Sequence, residues 1–253
     1  MPFFVKDDST SIYYETWGAG LPVLMIAPGG VQSAAPYWAR APLDMTQLLP
    51  PDEFQVVVMD QRNAGRSVGN FPAAGDPWST YADDQLRLME YLDADSFHVV
   101  GCCIGGSFIL KLSQLIGSRL RGAVLEMPIG IAGGNEVKFE GQWKTWRDGL
   151  VQFRPELSEA KIVEFAERMW KDRDFVVSMT DDEVRSVTTP MLVLPGSEDD
   201  PFHPRSIGVK IGDLAQNARV IEEWNDSDGA RADAAETVLA FLRTGELPTA
   251  VAS

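Results

Sequence analysis

The chain has 253 residues, 45% hydrophobic and 23% charged, an ordinary globular balance and long enough to bury a core without disulfides. A formal net charge of -15 repels phosphate and anionic lipid, so neither nucleic acid nor a membrane is expected as a partner. With two Cys and two His and no CxxC or HxxxH spacing, no Cys/His metal site and no cofactor is expected.

The elements follow in chain order. Residues 3–6 and 11–17 flank Asp7-Asp8-Ser9 and read as a hairpin. The start carries no basic segment followed by an apolar run, and no apolar run approaches about 18 residues, so a reduced, cytoplasmic location is expected. Residues 22–27 (PVLMIA), 54–60 (FQVVVMD), 96–101 (SFHVVG), 122–126, 190–194 and 218–222 are short apolar runs. Uninterrupted runs of this kind suit strands covered on both faces of a parallel sheet. Between them, residues 80–92, 104–116 and 232–242 place apolar side chains at helical spacing. Strand and helix alternate, which predicts a doubly wound α/β sheet with function beyond the carboxyl ends of its strands.

Residues 131–187 break that rhythm, because they separate two strands by far more than an α/β connection needs. They hold Trp143, Trp146 and Trp170 and a helical pattern over 158–171. The expectation is one domain over 1–253 with 131–187 as a helical lid. The three Trp side chains are candidates for an apolar substrate pocket, or else simply core.

The strongest chemical signal is Gly101-Cys102-Cys103-Ile104-Gly105-Gly106. A strand ends, one residue occupies a sharp turn and a helix begins. In this G-x-C-x-G elbow the central residue is strained, so its neighbours two positions away must lack bulk. Cys103 then projects at a helix N-terminus, where free N–H groups favour a thiolate. Cys102 reads as a small buried residue.

These residues make the chain resemble the α/β-hydrolase fold family over nearly its whole length. Pro28-Gly29-Gly30 stands at that family's oxyanion loop. Asp60-Gln61-Arg62-Asn63-Ala64-Gly65-Arg66-Ser67 is similar to its D-x-R-x-x-G-x-S turn. Leu194-Pro195-Gly196-Ser197-Glu198-Asp199 is similar to the strand end that carries the catalytic acid. The resemblance implies an α/β-hydrolase fold with Cys103 as nucleophile. It implies Asp199 as the acid, with Asp200 its nearest rival. It implies oxyanion donors at the N–H groups of Ile104 and Gly30.

Two departures stand out. The nucleophile is Cys, as in dienelactone-hydrolase-like members. The segment that should supply the base, residues 222–229, contains no His. His98 lies on a strand five residues before Cys103, about 16 Å away at about 3.3 Å per residue, and reads as a packed strand residue. His203, four residues after Asp199, leaves the sheet at the right edge. Pro204 suits the first turn of the next helix, which makes His203 either a cap or the base. Glu126, at the end of the strand after the elbow helix, is a further carboxylate; otherwise it pairs with a lid Arg or Lys.

The expected function is a Cys-dependent hydrolase or acyl transferase for a small ester, lactone, thioester or activated acyl substrate, with a small molecule as partner and a homodimer left open. Two other readings stand beside it: a non-catalytic ligand-binding member of the fold, and a cofactor-free lyase.

Overall fold

The computed structural model describes residues 2–170 and 175–248; the side chain of Trp170 and residues 171–174 lie outside the described residues. The first two strands, β1 (Phe3–Asp7) and β2 (Thr10–Trp17), form the expected antiparallel hairpin. Then come β3 (Leu21–Ile26), the short helix α1 (Met45–Leu48), β4 (Phe54–Met59), α2 (Pro77–Tyr91), β5 (Phe97–Cys102), α3 (Ile104–Ile116) and β6 (Leu120–Glu126). After β6 the chain forms α4 (Glu136–Phe153), α5 (Glu159–Trp170) and α6 (Asp181–Arg185). It returns to the sheet as β7 (Met191–Leu194), followed by α7 (Arg205–Leu214), β8 (Ala218–Val220) and α8 (Asp228–Thr244).

The strands form one sheet in the order β1-β2-β4-β3-β5-β6-β7-β8. Only the β1–β2 and β2–β4 pairings are antiparallel; from β4 to β8 all neighbours run parallel. Alternation within each strand explains why the apolar runs are unbroken. In β3, Leu24 and Ile26 pack under α2 and α3, while Val23 and Met25 pack toward α1 and α8. Each side chain is therefore buried on one face or the other, and a polar residue would be costly at either.

Helix ends follow local chemistry. Asp76 caps α2 by accepting the Trp78 N–H (3.0 Å), with Pro77 at the first helical position, so the helix begins earlier than apolar spacing alone suggests. Ser227 caps α8 in the same way through the Ala230 N–H (3.1 Å).

The helices between β6 and β7 are fastened onto the turns that leave the sheet. Arg154, just past α4, donates to the carbonyl oxygens of Asn63 (3.4 Å), Gly65 (3.3 Å) and Ser67. Arg168 of α5 donates to those of Gly75 (2.8 Å) and Pro72. The Trp78 indole donates to the Met169 carbonyl (3.1 Å). Trp143 is 4% exposed and donates to the Ala166 carbonyl (3.3 Å), so it ties α4 to α5 as core.

Candidate active site

Sheet register brings the chemistry to one edge. Ile26 pairs with Gly101, Cys102 with Glu126, and Glu126 with Leu194. The segments that follow, starting at Ala27, Cys103, Met127 and Pro195, therefore leave the sheet side by side at its carboxyl end.

Cys103 occupies the turn between β5 and α3 with φ 60° and ψ −119°. Such a conformation costs about 1–3 kcal/mol and persists only where its surroundings enforce it. Here the enforcement is visible. The Cys103 N–H donates to the Glu126 carbonyl (2.9 Å), and its own carbonyl accepts from Gly106 (3.1 Å). A Cβ on Gly105 would stand 2.9 Å from the Ile26 carbonyl oxygen, and one on Gly101 would meet Ile109 at 2.8 Å. The small residues of the elbow are thus steric necessities. Cys103 is half-buried at the junction of the two cores, and Cys102 is buried. Burial, with Glu126 beside it, pushes the Cys102 thiol well up, so the neighbouring sulfur stays neutral.

The carboxylate beside His203 is not that of Asp199 but that of its expected rival, one residue on. Asp199 is exposed, and the carboxylate that meets the imidazole belongs to Asp200. The turn itself makes the choice. The Asp200 N–H donates to Ser197 (3.4 Å), and its Oδ1 accepts the N–H groups of Phe202 (2.8 Å) and His203 (2.9 Å). This Asx-type turn folds the chain back so that Nδ1 of His203 lies 3.1 Å from Oδ1 and 3.0 Å from Oδ2. Pro204, not His203, is the residue that precedes the first turn of α7. The N-cap role is therefore taken, and His203 faces inward. Asn135 steadies the loop by donating to the Pro201 carbonyl (3.0 Å).

Electrostatics join His203 to the elbow. Burial would push the imidazole down, but the charge of Cys103 and the Asp200 carboxylate outweigh it and raise His203 to about 10. Nε2, the remaining nitrogen, is buried and makes no hydrogen bond of regular geometry. Asp200 is driven the other way. Burial disfavours its charge, yet His203 and the two main-chain N–H groups hold it well below the usual carboxylate range.

The expected oxyanion donors sit as follows. Ile104 opens α3, where its N–H has no intrahelical acceptor. Gly30 begins the 3-10 turn Gly30–Gln32 with φ 61°. A Cβ there would fall 2.3 Å from the Trp146 ring, because α4 lays that indole on the turn. Trp146 therefore reaches the site edge, whereas Trp143 is core, stacked edge-on against Trp146 at 5.9 Å. The third candidate, the side chain of Trp170, lies outside the described residues.

His98 is buried within the sheet, far from this edge, as expected. The segment in which the base was missing is closed by Trp224, whose indole donates to the Pro195 carbonyl (2.7 Å). It borders a cavity of about 510 Å³ that Asp200 and Arg205 also line.

Comparison with known proteins agrees with this architecture. A family model described as the alpha/beta hydrolase fold matches residues 22–212, and the chain belongs to that family. Among curated relatives, a protein named for carbamate hydrolysis, RutD of Agrobacterium fabrum, is 31% identical over 105 residues. That stretch is 40% of this chain and 38% of the relative, so the match spans well under half of its length. Among solved structures, a meta-cleavage product hydrolase of Pseudomonas fluorescens IP01 is 16% identical with a TM-score of 0.66, covering 95% of this chain and 98% of that one. The enol-lactonase of Burkholderia xenovorans LB400 is 18% identical with a TM-score of 0.62, covering 95% and 99%. At such identities the structural likeness concerns the fold. Among the described residues no helix is long and apolar enough to cross a membrane.

Proposed function

We propose that this chain is a Cys-dependent hydrolase or acyl transferase for small esters, lactones, thioesters or activated acyl compounds. Cys103 is the nucleophile, His203 the base, Asp200 the group that orients it, and the N–H groups of Ile104 and Gly30 the oxyanion donors. The observation that carries the reading is His203. It is fixed to Asp200 through Nδ1, raised by the Cys103 charge, and left with a buried Nε2 that has no other partner.

His203 takes the thiol proton. The thiolate adds to the carbonyl carbon, and the oxyanion takes the two N–H groups. Collapse expels the leaving group, which takes the proton from His203 and leaves a thioester on Cys103. Neutral His203 then removes a proton from water as its oxygen attacks the thioester; collapse restores thiolate and imidazolium. With an alcohol or amine in place of water, the same step is acyl transfer. The helices over 131–187 act as a lid. The carbamate and lactone substrates in the names of two relatives fit this class, since both present an acyl carbon bearing a heteroatom leaving group.

One observation favours a second reading, a non-catalytic ligand-binding member: the Trp146 ring lies against Gly30 and covers the oxyanion turn. Turnover of p-nitrophenyl acetate separates the two. The hydrolase reading expects release of p-nitrophenolate by the wild type, abolished in C103A and strongly reduced in H203Q. The binding reading expects wild type and C103A to be equally inert.

A further inference from the structure

Glu126 is a buried acid with no Lys or Arg paired to it among the described residues. It ends β6 beside Cys102, its residue is 1% exposed, and among the described residues no Arg or Lys bears on its carboxyl, so the expected lid cation does not reach it. Its carbonyl accepts the Cys103 N–H (2.9 Å), which fixes it directly behind the elbow. Oε1 accepts the Leu43 N–H (2.8 Å); Oε2 is buried with no partner. The titratable groups that face it are Cys102 on β5, Asp44 next to Leu43, and His203 on the loop after β7. Two of these three repel a negative charge or offer it nothing, and a lone buried carboxylate oxygen is expensive.

We propose that Glu126 is a positioning residue of this site that serves with its carboxyl protonated, so that once Cys103 carries the acyl group Asp200 alone bears charge against His203. This rests on the hydrolase reading above. Its consequence lies in the second half-reaction, where His203 must be neutral to take a proton from water. Loss of the Oε2 proton to hydroxide in solution sets a second carboxylate beside the imidazole, holds it protonated and stalls deacylation. Burial first, then Asp44, pushes the Glu126 carboxyl up, against the Leu43 hydrogen bond and His203, to about 8, so the change falls within reach of ordinary buffers.

The test has two arms. Hydrolysis of p-nitrophenyl acetate is followed from pH 6.5 to 9.5 for wild type and E126Q, with E126L as the variant that fills space but cannot hydrogen-bond. The wild type is expected to lose a factor of about three to ten in kcat across a titration near pH 8. E126Q, permanently neutral and still able to accept from Leu43, is expected to lack that fall; E126L, equally unable to ionise, is expected to lack it too, with a lower kcat at every pH because the Leu43 N–H loses its acceptor. An identical alkaline fall in E126Q overturns the proposal. In the second arm, carbon-13 labelling of the Glu side chains reads the Glu126 carboxyl shift in the unmodified protein. A carboxyl protonated at pH 7 supports the assignment, and one ionised at pH 7 overturns it even if E126Q does not fold. If C103A hydrolyses the ester as fast as wild type, the hydrolase reading fails instead, whatever the carboxyl titration shows.

Discussion

Nδ1 of His203 lies within 3.1 Å of both carboxylate oxygens of Asp200, and one of those oxygens also accepts the main-chain N–H of His203 at 2.9 Å. The acid thus holds both the ring and the backbone of its partner, three residues away in the same loop. Removing its charge should free the imidazole to adopt the wrong tautomer. D200N is expected to lower kcat on p-nitrophenyl acetate by about 10²-fold or more. D199N, altering an exposed side chain, is expected to stay within about twofold. Parallel kinetics on the two variants decide between the neighbouring carboxylates.

The same pair makes stability depend on pH in the alkaline range. His203 stands at about 10 in the folded state against about 6.5 unfolded, so the folded state binds the proton more tightly. The stabilisation is complete below about pH 6.5 and is lost as pH rises through about 10. Urea unfolding midpoints of the wild type should therefore drop between pH 7 and 10. H203Q should start lower at pH 7 and show a flatter decline.

His98 has the opposite sign. It is fully buried, and neither ring nitrogen makes a hydrogen bond of regular geometry. Burial, helped by Arg121 and opposed by the Gly122 backbone, pushes it down to about 4. The unfolded chain takes up this proton first, so stability falls as pH drops from about 6.5 toward 4. H98L, which removes the titrating ring, should lose less of its thermal midpoint between pH 7 and pH 5 than the wild type does. Equal losses in both would remove His98 from the account.

Beneath the Asp60–Ser67 turn, Arg62 donates from Nε and Nη2 to the two oxygens of Asp84, both at 2.7 Å, and Asp84 is fully buried. Lys6 adds a third contact at 2.7 Å. D84A strands the guanidinium and should cost about 3–5 kcal/mol in denaturant unfolding. Replacing both partners with apolar residues of matched volume should cost much less. Activity per folded molecule should change little in either case, since the hydrogen bonds of Arg62 go to Asp84, Thr10 and Asn70 and to none of Cys103, Asp200 or His203.

The parts of this molecule legible in the sequence are those fixed by local sterics and by burial on two faces. The strands from Val23 to Leu194 read directly because each lies in a sheet covered on both sides. The elbow read directly because Gly101 and Gly105 are forced by contacts with Ile109 and Ile26. Parts that depend on how a loop turns read less well. Asp199 and Asp200 are adjacent and chemically identical; only the Asx turn onto Phe202 and His203 selects the second. The pattern Asp-x-x-x-Pro at 200–204 carried that signal, with two N–H groups free to fold back on the carboxylate. Trp143 and Trp146 differ in role because one faces α5 and the other the Gly30 turn, which depends on how α4 docks and not on its spacing. Glu126 could be seen as a carboxylate, but its lack of a Lys or Arg partner among the described residues is a tertiary fact.

The central claim is a covalent bond to one sulfur. Wild type and C103A are mixed with p-nitrophenyl acetate, quenched in acid within the first turnovers, digested and mapped by mass spectrometry. The account predicts an acetyl group on Cys103 of the wild type, absent in C103A, and cleared on longer incubation as water completes the cycle. Steady release of p-nitrophenolate with no acetyl group on Cys103 at any time, or with undiminished rate in C103A, would contradict it.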